Sequence, residues 1–231
     1  MSLRRRSLMT ACGLATAVAL SPTAAVASDR VGAASTLDPL LRLLAGNRRF
    51  VAGAATHPRR GPADVRRLGE RQHPYAITLA CADSWVPPEI LFDHGLGDIF
   101  DIRVAGHVVD DVVLGSVEYA LAEFEPSLLI VLGHERCGAV EAAVDAIRTG
   151  GTPPGHVAAV VDALRPAIVP ALAAPGDAIE NGVRANVAWQ LRTLWERSTL
   201  VRRRVASGAL TVVGARYDLD TATVTLLTRG R

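Results

Sequence analysis

The sequence contains no lysine, few aromatic residues and only three cysteines. All 25 basic residues of the 231-residue chain are arginine, aromatic side chains make up 4% of it and charged side chains 21%. With 23 acidic residues the formal net charge is +2. The chain therefore lacks the large positive charge that is typical of nucleic-acid-binding proteins. No apolar run reaches the ~18 residues that a membrane span requires. Three cysteines are too few for a disulfide-dense mini-protein.

Hydrophobic residues, by contrast, make up 49% of the chain, which excludes a disordered or collagen-like protein. A domain of about 200 residues buries roughly 70% of the surface that its unfolded chain exposes, so it needs no metal simply to hold a core together. The sequence shows neither an internal repeat nor a clean linker. We therefore expect a single domain over residues 36–231.

The first 27 residues have the features of an export signal. Three arginines, Arg4 to Arg6, precede an apolar stretch that ends near Leu20, and Ala25-Val26-Ala27 supplies the small residues of a cleavage site. The Arg5-Arg6 pair resembles a twin-arginine signal, and an ordinary secretory signal with extra positive charge is the alternative. We expect residues 28–35 to be a flexible lead and the protein to be exported, either periplasmic or secreted, with no membrane span after cleavage.

Hydrophobic patterning predicts strands that alternate with helices. A capping box of Ser35 and Asp38 is expected to begin a helix that runs to Val51. Further helices are predicted at Ala63–Arg71, from Pro87-Pro88-Glu89, and at Val108–Glu123, Cys137–Arg148, Val157–Leu172 and Ala178–Ala206. Strands are predicted at Tyr75–Ala80, Asp98–Val104, Ser127–Leu132, Leu210–Tyr217 and Thr221–Leu227. This order predicts an α/β fold: a mostly parallel central sheet with an antiparallel edge strand, flanked by helices.

Four residues with metal-binding chemistry follow two of the predicted strands. Cys81 and Asp83 follow the first core strand, and His134 and Cys137 follow the third. Sites in open α/β sheets lie beyond the carboxyl ends of the strands. Two thiolates, one imidazole and an open or carboxylate position describe a catalytic zinc site, and thiolates favour zinc over magnesium or calcium. The alternatives are thiols buried as small apolar groups, or a Cys81–Cys137 disulfide.

Two motifs carry a resemblance to a known family. Cys81-Ala82-Asp83-Ser84 with Val86-Pro87-Pro88-Glu89, followed by His134-Glu135-Arg136-Cys137-Gly138, resembles the β-class carbonic anhydrases in composition and spacing. The resemblance extends over most of the chain after the signal. It implies the β-carbonic-anhydrase fold and the zinc-dependent, reversible hydration of carbon dioxide to bicarbonate. It also implies assembly into a homodimer or a larger homo-oligomer.

The resemblance further implies roles for individual residues. Cys81, His134 and Cys137 would hold Zn²⁺, and Asp83 would either accept a hydrogen bond at the reaction centre or ligate the metal itself. Three other positions match the family's substrate pocket: Gln72 would hydrogen-bond a substrate oxygen, while Phe100 and Ala105 would line the pocket.

The sequence departs from the family pattern at Trp85, where the motif has an arginine that pairs with the aspartate. Tryptophan has a single N–H donor and no charge, so it cannot form a bidentate salt bridge. Two hypotheses follow: a working carbonic anhydrase in which another donor, such as Arg103, restrains Asp83, or a zinc-bound relative without catalysis. His94 and His107 are two milder departures, which we interpret as tolerated polar exchanges near a subunit interface.

Overall fold

The computed structural model describes residues 38–229. The predicted export signal, residues 1–27, and the predicted lead, residues 28–35, lie outside this range. The described residues belong to one compact unit, Leu37–Arg231. Over residues 38–229, no helix combines the length and apolar character needed to cross a bilayer.

Five strands form one sheet at the centre of the molecule. They are β1 (Ala76–Ala80), β2 (Ile99–Arg103), β3 (Leu128–His134), β4 (Thr211–Tyr217) and β5 (Val224–Arg229). The spatial order is β2-β1-β3-β4-β5. β1 pairs in parallel with β2 and β3, β3 pairs in parallel with β4, and β5 is antiparallel to β4 at the edge. The predicted fold class is therefore confirmed.

Helices connect the strands and flank the sheet. Among the described residues they are α1 (Pro39–Val51), α2 (Pro62–Leu68), α3 (Pro88–Leu91), α4 (Asp111–Glu123), α5 (Gly138–Thr149), α6 (Val157–Ala171), α7 (Ala178–Arg197) and α8 (Thr199–Ala206). A single 3-10 turn, Ala105–His107, separates β2 from α4.

Two helices, α1 and α4, begin later than predicted because aspartate side chains cap them there. Asp38 itself is the N-cap of α1, and its carboxylate accepts hydrogen bonds from the backbone N–H groups of Leu40 (2.8 Å) and Leu41 (3.3 Å). The proposed partner, Ser35, lies outside the described residues. α4 begins at Asp111 and not at Val108, since the carboxylate of Asp110 accepts a hydrogen bond from Val113 N–H at 2.8 Å.

The predicted helix over Ala178–Ala206 is in fact two helices. The backbone of Ser198 is extended (φ −99°, ψ 110°), and its hydroxyl caps α8 by accepting a hydrogen bond from Val201 N–H. The same hydroxyl donates to the Glu118 carboxylate on α4, at 2.6 Å. This contact with α4 fixes the position of the break between α7 and α8.

The last strand begins at Val224, three residues later than predicted. The carboxylate of Asp218 accepts hydrogen bonds from the N–H groups of Asp220 (3.1 Å) and Thr221 (2.9 Å). These bonds hold residues 218–221 in a turn. Their N–H groups are therefore not available to pair with β4.

The core lies on both faces of the sheet. Ile77 and Leu79 of β1 pack with α4, α7 and α8 on one face, whereas Ala76 and Ala80 pack with α1 and α3 on the other. Every residue of β1 and β3 is buried, as expected for central parallel strands. α7 comes especially close to the sheet at Gly133, where an added Cβ would lie 2.6 Å from a methyl group of Val187.

Candidate metal centre

The topology brings the four predicted metal ligands to one edge of the sheet. Cys81 directly follows β1, His134 is the last residue of β3, and Cys137 is the N-cap of α5. Because β1 and β3 are parallel neighbours, their carboxyl ends lie side by side. One ligand atom from each of Cys81, Asp83, His134 and Cys137 lies within 4.8 Å of the others. Both thiols are free and buried, with their sulfur atoms 4.0 Å apart, so the disulfide alternative does not describe this structure.

Two polar atoms in this cluster have no hydrogen-bond partner. Asp83 Oδ2 and His134 Nε2 face each other at 3.1 Å, yet each is buried and makes no hydrogen bond. A buried polar atom left without a partner costs about 1–3 kcal/mol. The other ring nitrogen of His134, Nδ1, donates to the Glu135 carbonyl at 2.9 Å, so the lone pair of Nε2 points toward the cluster. Two sulfurs, one imidazole nitrogen and one carboxylate oxygen form a donor set that fits zinc.

The four side chains of the cluster also shift one another's pKa values. The pKa of the Cys81 thiol is lowered to about 3, mainly because the Cys137 thiol donates a hydrogen bond to it; the same contact raises the pKa of Cys137. Burial and the negative charge of Cys81 raise the pKa of Asp83. Burial alone would lower the pKa of His134, but the negative charge of Cys81 and the hydrogen bond to the Glu135 carbonyl raise it. A bound divalent cation would relieve this crowding of negative charge.

Arg103 holds the loop that carries Cys81 and Asp83, but only through its backbone. Its Nε donates to the Cys81 carbonyl at 3.0 Å, and its Nη2 donates to the Asp83 carbonyl at 2.5 Å. Neither bond reaches the Asp83 carboxylate. Arg103 therefore positions the loop without taking the place of the missing motif arginine.

Trp85 lies at the rim of the cluster. Its side chain is 50% exposed, and its ring meets the His134 ring edge-on, with the centroids 6.4 Å apart and an interplanar angle of 77°. It thus shields one side of a ligand and brings no positive charge to Asp83.

The three predicted substrate residues are not all near the metal ligands. Ala105 is exposed at the start of the 3-10 turn, next to Gly106, whose N–H donates to Cys81 Sγ at 3.4 Å. Phe100 pairs with Ile77 near the start of β1, and Gln72 precedes that strand. Since a five-residue strand spans roughly 17 Å, the fold keeps both away from the cluster of the same chain.

Gln72 and Phe100 nevertheless lie in one neighbourhood. Gln72 lines a surface cavity of about 350 Å³ together with Tyr119 and Phe124 of the α4 end. The Phe100 ring contacts the same two rings, with centroids 6.2 Å and 5.8 Å away. One chain therefore places these two predicted pocket residues together, on a surface apart from its own metal ligands.

The two histidines that depart from the family pattern are buried inside the chain. His94 is hydrogen-bonded to the Tyr75 hydroxyl at 2.6 Å and to the Phe92 carbonyl. Nε2 of His107 lies 3.0 Å from the Asn186 amide nitrogen. Asn186 and its neighbour Gln190 were missed by the sequence analysis, because nothing in the pattern of α7 distinguishes a buried amide that serves a site from one that only packs.

Comparison with known proteins agrees with this architecture. A family model described as "Carbonic anhydrase" matches residues 76–224, a range that contains all four clustered ligands. The chain belongs to the carbonic anhydrase family, whose members are lyases and whose general activity is the hydration of carbon dioxide. It is 42% identical to carbonic anhydrase 2 of Mycobacterium tuberculosis over 175 residues, which cover 76% of this chain and 84% of that relative.

Solved structures place it within the β class of that family. A β-carbonic anhydrase of Coccomyxa, solved in complex with acetazolamide, is 26% identical with a TM-score of 0.63, over 84% of this chain and 86% of the other. The fold also matches that of one of two tetrameric β-carbonic anhydrases solved from Sordaria macrospora, with a TM-score of 0.64 at 20% identity over 81% of this chain and 96% of the other.

Proposed function

We propose that the protein catalyses the reversible hydration of carbon dioxide to bicarbonate and a proton, with Zn²⁺ held by Cys81, His134 and Cys137. The observation that carries this proposal is the convergence of four ligand atoms within 4.8 Å, two of them buried without hydrogen-bond partners. When bound with one position open, zinc lowers the pKa of water to about 7 and so supplies a nucleophile at neutral pH.

Asp83 decides whether that position is open. Its carboxylate is close enough to the other donor atoms to act as the fourth ligand, and no guanidinium draws it away. Held off the metal, the same carboxylate accepts a hydrogen bond at the reaction centre and fixes the proton there. We propose that Asp83 alternates between these two roles. The fraction of time that it spends off the metal then sets the rate of carbon dioxide hydration.

We further propose that Gln72 and Phe100 complete the site of a second copy of the chain. Two features support this: the two residues share a surface apart from their own cluster, and relatives with this fold are tetrameric. In a two-fold dimer the same surface is used by both subunits, so each would lend its pocket residues to the other. Gln72 would then orient carbon dioxide by donating to one of its oxygens.

The second candidate function is a zinc-bound protein without catalysis. The lack of a guanidinium partner for the Asp83 carboxylate favours it, because a permanently bound carboxylate would close the fourth position. Stopped-flow measurement of carbon dioxide hydration by the zinc-loaded protein distinguishes the two candidates. We expect hydration well above the buffer rate; a protein with one zinc per chain and only the buffer rate would establish the second candidate instead.

We also propose that residues 1–27 direct export by the twin-arginine route. Replacing Arg5 and Arg6 by lysine should trap the precursor inside the cell, since that route reads the arginine pair and not charge alone. Arg4→Lys is the matched control and should export normally. Normal amounts of processed protein outside the cytoplasm from the double variant would support the ordinary secretory route.

A further inference from the structure

A chain of buried polar groups lies beneath the turn at Ala105–His107. His107, Asn186 and Gln190 are each at most 1% exposed. The Val109 N–H donates to Gln190 Oε1 at 2.9 Å, and Gln190 Nε2 donates to Asn186 Oδ1 at 2.8 Å. Asn186 Nδ2 in turn donates to the Gly106 carbonyl at 2.8 Å and lies 3.0 Å from His107 Nε2.

Backbone groups at both ends fix the orientation of this chain of hydrogen bonds. The N–H of Val109 can only donate, and the carbonyl of Gly106 can only accept. Neither amide can therefore flip without losing bonds, and His107 Nε2 must accept. Burial also lowers the pKa of His107 to about 4, so its ring is neutral at physiological pH.

The turn held in this way faces the metal ligands. The peptide N–H of Gly106 donates to Cys81 Sγ at 3.4 Å, while its own carbonyl is bound by Asn186. Both Gly106 (φ 65°) and His107 (φ 42°) have left-handed backbones, which are unfavourable for histidine unless its surroundings hold it there. The bonds from α7 supply that restraint.

We propose that Asn186, oriented by Gln190, is a positioning residue for the metal centre: by binding the Gly106 carbonyl it fixes the turn on which the Gly106 N–H faces the Cys81 thiolate. This inference rests on the proposed zinc site. A hydrogen bond to a thiolate withdraws electron density from sulfur, so the sulfur donates less to the metal and the metal remains a stronger Lewis acid. The same bond also holds the thiolate in the orientation that the metal requires, and loss of such an outer partner typically weakens metal binding by about 10–100-fold.

Cobalt(II) in place of zinc makes the thiolate bond visible, through its sulfur-to-cobalt charge-transfer absorption in the near ultraviolet. Asn186→Leu and Gln190→Met remove the bonds but keep the length of the side chains. We expect both variants to shift this band to longer wavelength, Asn186→Leu the more strongly. We also expect them to weaken zinc binding by about 10–100-fold in chelator competition.

Asn47→Leu is the matched control. Asn47 is also a buried amide, 3% exposed, and its three hydrogen bonds go to backbone groups of Leu91, Ala222 and Val224, none of which contacts the metal cluster. This variant should lose stability but leave the cobalt band and zinc affinity unchanged. The control thus separates positioning of the thiolate from general loosening of the core.

The cobalt spectrum of the unmodified protein distinguishes failure of the proposed metal site from failure of the positioning role of Asn186. If it binds cobalt without a charge-transfer band, the proposed thiolate site fails, and this inference with it. If it shows the band but Gln190→Met and Asn186→Leu leave band and affinity unchanged, the inference alone is wrong. Should Asn186→Leu not fold, the milder Gln190→Met decides the question by itself.

Discussion

Trp85 is the residue at which this chain differs most consequentially from its family's motif. It packs edge-on against His134 and leaves the Asp83 carboxylate without a guanidinium partner, while Arg103 binds only backbone carbonyls nearby. In the proposed site, no arginine therefore opposes binding of the Asp83 carboxylate to the metal. Hydroxide competes better for a metal as pH rises, so we expect hydration to be slow at neutral pH and faster in alkali.

Trp85→Arg should raise the rate of carbon dioxide hydration near neutral pH by tenfold or more. A guanidinium can bind the Asp83 carboxylate through two hydrogen bonds and draw it from the metal. A tenfold gain requires only about 1.4 kcal/mol. Stopped-flow rates from pH 6.5 to 9 measure the effect, and Trp195→Arg, at a 39% exposed tryptophan of α7, is the control. Equal neutral-pH rates for Trp85→Arg and the unmodified protein would refute the role of position 85.

The convergence of Cys81, Asp83, His134 and Cys137 could be predicted at the residue level, but the residues behind this cluster could not. Cys81 and His134 follow apolar runs long enough to be recognised as core strands, and parallel neighbours bring their carboxyl ends together. Asn186 lies in the middle of a helix, 80 positions along the chain from the carbonyl that it binds. Only tertiary packing brings these two groups together, so no local sequence pattern predicts the contact.

At the scale of elements, short polar contacts decide where helices end and how they attach to the sheet. The hydrophobic pattern continues across Ser198, so the sequence predicts one helix where a hydrogen bond to Glu118 separates two. Asp93 has a similar role after α3. Its fully buried carboxylate accepts hydrogen bonds from the Arg49 side chain (2.6 Å) and from the N–H of His57 (2.8 Å), joining α1 to a distant loop.

Asp93→Asn should lower the free energy of unfolding by about 1–3 kcal/mol at pH 7, because a charge-assisted hydrogen bond to Arg49 is lost. Burial would raise the pKa of Asp93, but the N–H of Thr56 and the Arg49 guanidinium hold it well below its usual range. The stability it contributes is therefore present above about pH 4 and is lost as the pH falls toward the folded-state value. Urea unfolding of Asp93→Asn and of the unmodified protein at pH 7 and pH 3 measures this effect. The difference between their free energies of unfolding should be smaller at pH 3 than at pH 7.

Asp64→Asn is the control for that comparison. Asp64 pairs with Arg67 on the surface at 3.1 Å, and such exposed pairs contribute at most about 1 kcal/mol. Its carboxylate also accepts a hydrogen bond from Gly61 N–H at 3.1 Å, and the side-chain oxygen of asparagine can still accept that bond. An Asp93→Asn variant as stable as Asp64→Asn at pH 7 would show that the buried carboxylate does not hold α1 in place.

At the scale of the whole molecule, the position of Gln72 links the proposed chemistry to assembly. Because this residue and Phe100 lie apart from the cluster of their own chain, the proposed pocket requires a second copy of the chain. The sequence resemblance implied both the pocket residues and an oligomer. The resemblance also implied that the sites lie near the subunit interface, and the surface that Gln72 shares with Phe100 supports that link.

Mixing two defective variants tests this link. Gln72→Ala keeps the metal ligands and His134→Ala keeps the pocket residues, so each variant alone should be slow. Subunits refolded or co-expressed together should form mixed dimers that contain one complete site, restoring about a quarter of the unmodified activity per chain. No recovery in samples shown by sedimentation to contain mixed dimers would mean that Gln72 does not act across the subunit interface.

The most direct test of the central claim is a zinc titration followed by the rate of carbon dioxide hydration. Metal-free protein is given increasing zinc at pH 8.5, with Cys137→Ser as the ligand-deficient control. The proposed site predicts that the rate rises with added zinc, levels off at about one equivalent per chain, and stays at the buffer value for Cys137→Ser. A rate that does not respond to zinc, or that responds equally in Cys137→Ser, would contradict it.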